Sequence, residues 1–224
     1  VLIDMVAIGL IIPVLAPLIG QLAGGSQNEQ AYWYGVITLA YGLANFIGAP
    51  ILGALSDRYG RRPVLLLGFC GLALSFFGTA LASSVWVLML VRTAAGFLQA
   101  NAAVAQAYVA DISTAEERGR RFGLLGAMFG LGFILGPVLG GLLGAIDVHL
   151  PFFVAGALAL LNLLYGILVL PESLPLDRRS AFSWRAANPV ASLLVLYRLP
   201  SIRTLVTAII LASLAPFTMH TSGV

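Results

Sequence analysis

The chain alternates long apolar stretches with short polar breaks. No Asp, Glu, Lys or Arg occurs in residues 5–28, 30–56, 63–91, 93–110, 122–146, 148–171 or 204–224. A helix needs about 20 apolar residues to cross the hydrocarbon of a bilayer, so each run can span one. The pattern predicts segments at Val1–Leu22, Trp33–Leu55, Val64–Ala82, Val85–Ala110, Phe122–Ala145 and Leu150–Leu170, with a seventh starting at Thr204. Residues 1–170 would then form a six-helix transmembrane bundle, 171–203 a connector and 204–224 a seventh helix. The expected fold class is an all-α membrane protein.

Composition removes the alternatives. The chain is 60% apolar and 9% charged, whereas a soluble domain is about one quarter charged. Disorder needs low hydrophobicity and high charge. All 12 basic residues are arginines, giving a net charge of +3. All but Arg92 fall between segments or at their ends, with no basic stripe and no interleaved aromatics, so no nucleic-acid partner is expected. Cys70 lies alone in an apolar run and reads as a packing residue. The two histidines are isolated. We therefore expect no metal site, no cofactor and no enzyme, and no phosphate-binding loop for ATP is present.

The arginines also orient the chain. Arg58, Arg61 and Arg62 follow segment two, Arg118, Arg120 and Arg121 follow segment four, and Arg178, Arg179, Arg185, Arg198 and Arg203 follow segment six. The alternate loops carry only Glu29, Asp147 and His149. By the positive-inside rule the arginine-bearing loops and the N-terminus are cytoplasmic in a multi-pass protein of the inner or plasma membrane. The start at Val1 and the end within an apolar run lead us to expect an excerpt of a longer protein. In the connector, Asn188-Pro189 reads as the start of a short interfacial helix bearing Val190, Leu193, Leu194 and Tyr197. Ser113-Thr114-Ala115-Glu116 reads as a capping box before segment five.

Four motifs carry more than hydropathy. Gly53-Ala54-Leu55-Ser56-Asp57-Arg58-Tyr59-Gly60-Arg61-Arg62-Pro63 must stop one helix and start the next within a few residues, with Gly60 supplying backbone freedom. In segment five, Gly132, Gly136 and Gly140 step by four and form a stripe for close helix approach, with Gly123, Pro137 and Gly141 completing the pattern. The others are Asp4-x4-Gly9-x3-Pro13 and Arg92-x3-Gly96. Together these resemble the signatures of the major facilitator superfamily. The Gly-Pro-x-x-Gly-Gly ending resembles its drug–proton antiporter branch, and Ala107–Ile112 and Leu142–Ile146 resemble its tetracycline-efflux proteins. The resemblance implies the N-terminal half of a twelve-helix transporter, built from two inverted three-helix repeats. It implies proton-coupled export of a small amphipathic drug by alternating access, with protons as the coupling ion and the C-terminal half as partner. A sugar or metabolite transporter and a non-transporting scaffold are the rival readings. Ser75 stands where the best-known exporters of that branch carry an acid, and Asn45 where they carry a glutamine.

Ionisable groups inside a membrane are costly and usually functional. Asp4 is the candidate proton-coupling residue. Counting at 1.5 Å per residue puts Arg92 about 10 Å and Asp4 about 27 Å from the external ends of their segments, so a direct pair is not expected. Arg92, Gln99 and Gln106 share one face of segment four as a polar stripe. Arg92, Gln99, Asn45, Ser75 and Asn162 are candidates for the substrate cavity, while Asn101, on another face, is assigned to helix–helix hydrogen bonding. The resemblance makes Gly53, Asp57, Arg58, Gly60, Arg61, Arg62 and Asp111 a conformational gate, with Arg61 paired to Asp111 and Asp57 facing the other half.

Overall fold

The structure is a computed structural model that describes residues 1–99, 101–184 and 187–189, the side chain of Asn101 excepted. The expected interfacial helix and seventh segment lie outside the described residues. Seven α-helices are described: α1 (Leu2–Ala23), α2 (Gln27–Tyr59), α3 (Arg61–Ala80), α4 (Val85–Leu98), α5 (Asn101–Asp111), α6 (Ala115–Gly144) and α7 (Leu150–Val169). The predicted fourth segment is α4 followed by α5. The helices supply six stretches long and apolar enough to cross a membrane.

Helix ends differ from the predicted spans because charge-free windows mark the hydrocarbon, not the helix. α2 begins at Gln27, ahead of Trp33, on a reciprocal cap. The Ser26 amide donates to Glu29 Oε2 at 2.9 Å and the Glu29 amide to Ser26 Oγ at 3.4 Å. This satisfies backbone donors that the first helical turn leaves open. α6 begins at Ala115, seven residues before Phe122, and takes its charged first turns into the polar zone. Its cap is Thr114, whose hydroxyl accepts from the Glu117 amide at 3.4 Å. That corrects the expected capping box by one residue, since the Ser113 hydroxyl donates back to the Val109 carbonyl instead.

Packing reveals a repeat. α1 packs most extensively on α6, α2 on α4 and α3 on α7, followed by α1 on α7 and α3 on α4. Exchanging α1, α2 and α3 for α4–α5, α6 and α7 converts α1–α6 into α2–α4 and α1–α7 into α3–α4, and maps α3–α7 onto itself. Three crossings end on the side opposite to their start, so the second triplet is inverted relative to the first. Leu10, Leu18, Phe76, Leu88 and Phe152 fill the central core. A second cluster, with Leu52, Leu65, Phe69 and Val104, lies at the arginine-rich end.

The glycine stripe of α6 meets α1 backbone to backbone. A Cβ on Gly136 would sit 2.5 Å from the Cα of Gly9, and one on Gly9 2.8 Å from the Cα of Gly136. A Cβ on Gly140 would collide with the Leu10 carbonyl, and one on Gly132 with Met5. Gly9 of the first motif and Gly136 of the segment-five motif are thus two sides of one contact. Gly123 and Gly141 have open space where a Cβ would go; expected as packing residues, they face away from the α1 crossing.

A side chain at the crossing forces two backbones apart. Gly136→Leu and Gly140→Leu should each cost about 3 kcal/mol of stability. At Gly144 the obstacle is only the Val14 side-chain tip and a proline ring edge, so Gly144→Leu should cost about 1 kcal/mol. Heating detergent-solubilised protein and measuring the remaining monodisperse fraction checks the order.

Candidate functional site

A cavity of about 430 Å³ opens among the helices, with walls from α1, α2, α3, α5, α6 and α7. That volume is in the range of small-molecule pockets. Its lining is mainly apolar, with Phe69, Phe129 and Phe133 among the aromatic rings. Among the described residues, Asp4 is the only charged side chain in the lining. It sits on the first turn of α1, only 5% exposed, and its Oδ1 accepts a 2.8 Å hydrogen bond from Nδ2 of Asn162 on α7. A buried carboxylate needs such a donor to offset lost hydration. The arrangement can hold an amphipathic molecule against rings and present one carboxylate to it.

Arg92 lies apart from this carboxylate. Its side chain is buried, with the guanidinium carbon 5.7 Å from the centre of the Tyr41 ring. Cation–π contact of this kind stabilises a desolvated arginine. Tyr41 in turn donates its hydroxyl hydrogen to Gln99 Oε1. Tyr41 and Gln99 line the cavity, whereas Arg92 stands behind them. No ion pair joins Asp4 and Arg92 among the described residues.

At the arginine-rich end, Gly60 is the single residue between α2 and α3, with φ at +107°. This left-handed backbone favours glycine. The chain reverses here and brings Arg61 into a network. Its Nη1 lies 2.5 Å from Asp57 Oδ1 and 2.6 Å from Ser56 Oγ, and its Nε lies 3.0 Å from Asp111 Oδ2. Ser56 Oγ donates on to the Gly53 carbonyl at 2.8 Å. Arg62 Nη2 donates to the Ile167 carbonyl at 2.7 Å. Arg58 lies over the Tyr59 ring at 5.1 Å. Arg61 binds Asp57 as well as Asp111, because the one-residue turn puts the guanidinium between them, and the Asp57 side chain remains half-exposed.

The family model of the Major Facilitator Superfamily matches residues 1–223. The chain belongs to this superfamily. It is 43% identical over 192 residues to the class C tetracycline resistance protein of Escherichia coli, covering 86% of this chain and 48% of that protein. It is 32% identical to multidrug resistance protein 2 of Bacillus subtilis, covering 82% of this chain and 45% of the relative. The crystal structure of the human organic anion transporter MFSD10 (TETRAN) superposes with a TM-score of 0.75 at 29% identity, covering 88% of this chain and 52% of that one. The chain spans about half the length of these relatives.

For this superfamily member, the residues expected at a substrate site divide. Gln99 and Asn162 reach the cavity wall, where they join Asp4, the candidate proton-coupling residue. Ser75 does not: it is buried in α3, and its Oγ has no partner among the described residues. Asn45 is half-buried on α2 outside the lining. Gln106 is exposed and is not in the cavity lining. The described residues contain no group of three or more His, Cys, Asp or Glu placed to hold a metal ion. Sequence reasoning missed Tyr41, one aromatic among many in α2, and Glu172, whose partners Arg61 and Arg62 lie far away in the chain.

The Arg61 network sits at the arginine-rich end of the bundle, and Asp57, Arg61 and Asp111 are not in the cavity lining. Arg61→Ala or Asp57→Asn in the full-length protein should slow transport about tenfold by shifting the balance of conformations. The set of exported compounds should stay the same. Initial rates for several substrates check this, since an altered range at an unchanged rate would place these residues at the binding site.

Proposed function

We propose that the chain is the N-terminal half of a secondary transporter that exports a small amphipathic drug in exchange for protons. The observation that carries the reading is Asp4, buried, bound by Asn162 and alone in its charge on the wall of an apolar, ring-lined cavity. A carboxylate in that setting can alternate between binding a proton and facing a substrate, which is the minimum an exchanger needs. The similarity to tetracycline and multidrug resistance proteins supports the drug class. The energy source is the proton gradient, with no cofactor. The arginine-bearing loops and the N-terminus lie in the cytoplasm. The cavity is completed by a second six-helix half, and the two halves rock about it to give alternating access.

The test is drug accumulation in sensitive cells expressing the full-length protein, with and without a protonophore. Lowered accumulation that the protonophore abolishes supports the reading. Lowered accumulation that persists without a proton gradient contradicts the coupling.

A further inference from the structure

The junction of α3 and α7 shows an exchange of helix caps that the sequence motifs do not contain. α3 starts after Gly60, which has no side chain to cap with. Of the amides at this start, Gly60 donates back to the Ser56 carbonyl at 3.1 Å. Pro63 has no amide hydrogen. The Arg61 and Arg62 amides remain, and both are taken by one carboxylate: Glu172 Oε1 accepts from Arg61 at 2.8 Å and Oε2 from Arg62 at 3.3 Å. Glu172 lies just past the end of α7, 111 residues from Arg61. A negative charge at a helix N-terminus is favoured by the helix dipole as well as by these bonds.

The other end of the exchange is equally complete. The Ile167 carbonyl, in the last turn of α7, would normally accept from the amide four residues on, but that residue is Pro171. Arg62 Nη2 supplies the missing donor at 2.7 Å. Each helix end thus meets a proline, and each is completed by a charged side chain of the other. The start of the connector follows the same surface. The Tyr108 hydroxyl donates to the Pro171 carbonyl at 3.1 Å, and the Ser180 amide to the Asp57 carbonyl at 3.1 Å. Glu172 Oε1 also accepts from the Ser173 and Leu174 amides at 3.0 Å each. Gly60 makes room for this, since a Cβ there would fall on the Glu172 carboxylate.

We propose that Glu172 is a positioning residue for the arginine gate, and that its exchange of caps with Arg62 ties the end of α7 and the connector to the gate. Glu172 holds the backbone of Arg61, while Asp57, Ser56 and Asp111 hold its side chain. Movement of α7 or the connector is therefore transmitted to the ion pairs through the Glu172 carboxylate, beside two direct contacts of the connector, Ser173 Oγ to Asp111 Oδ2 at 3.5 Å and the Ser180 amide to the Asp57 carbonyl. The proposal rests on the transporter reading of the arginine loop and adds a residue outside it.

The experiment uses the full-length protein with Cys70→Ala, and Ala105→Cys on the cavity wall as reporter. The readout is the rate of labelling by a membrane-impermeant maleimide applied from the arginine-rich side. Glu172→Ala should speed labelling about tenfold, as Arg61→Ala does, because loss of a charged cap shifts the closed–open balance by that order. Arg62→Met should act in the same direction. The double variant Glu172→Ala/Arg61→Ala should label no faster than the faster single variant, since both act through one element. Should Glu172→Ala fail to fold, Glu172→Gln, which keeps one acceptor oxygen, should give about a threefold rise. Wild-type labelling in a folded Glu172 variant overturns the proposal if Arg61→Ala speeds labelling, as does a double variant whose effects multiply. Wild-type labelling in Arg61→Ala overturns the gate reading and the proposal with it.

Discussion

Asp4→Asn in the full-length protein should abolish proton-driven export, by about a hundredfold or more, while leaving membrane insertion and expression intact. Asparagine keeps the volume and can still bond Asn162, so the α1–α7 contact survives. What disappears is the only carboxylate among the described residues of the cavity wall. A neutral residue can neither take up nor release a proton, so the cycle loses its drive but not its hinge. Exchange of labelled for unlabelled substrate, with no gradient applied, should therefore continue within about threefold of wild type, because that reaction needs only binding and reorientation. Net export equal to wild type at equal expression would remove Asp4 from the coupling mechanism. Loss of both reactions would make its role structural.

The second large effect concerns the chain as it stands. Expressed alone, these 224 residues should enter the membrane and export nothing. Every described crossing is a helix that satisfies its own backbone, so insertion does not depend on a second half. The cavity does depend on it. On α6, Phe133 lines the cavity and is still half-exposed, and nothing among the described residues closes the wall that it and Phe129 begin. Co-expression with a matching six-helix C-terminal half should restore export, because each half has its own core. Proton-dependent export by the chain alone would contradict the two-half site.

Much of the architecture is legible in the sequence because the bilayer imposes it. Six of the predicted segments appear as helices, in order, with ends shifted where caps such as Ser26 and Thr114 carry them into the polar zone. The close-packing stripe is legible as Gly132, Gly136 and Gly140 at helical spacing. Its partner is not, since no local pattern says that Gly9 lies opposite Gly136. Asp4 and Asn162 stand out because polar groups in apolar runs are rare. Ser75 and Asn45 stand out for the same reason, yet they lie off the cavity. Helices that are apolar on nearly every face carry little periodic signal, so depth can be counted along the chain but the facing direction cannot. Glu172 was hidden for another reason: its partners Arg61 and Arg62 are brought to it only by the antiparallel packing of α3 and α7.

The central claim is that this half carries the proton-exchanging carboxylate of a drug exporter. Proton flux measured together with drug flux tests it most directly, in proteoliposomes holding the purified full-length transporter and a pH-sensitive dye. Adding drug in the absence of any imposed gradient should move protons opposite to the drug in the wild type, and move none in Asp4→Asn although drug still exchanges. Drug movement without proton movement in the wild type, or undiminished proton movement in Asp4→Asn, would contradict the account.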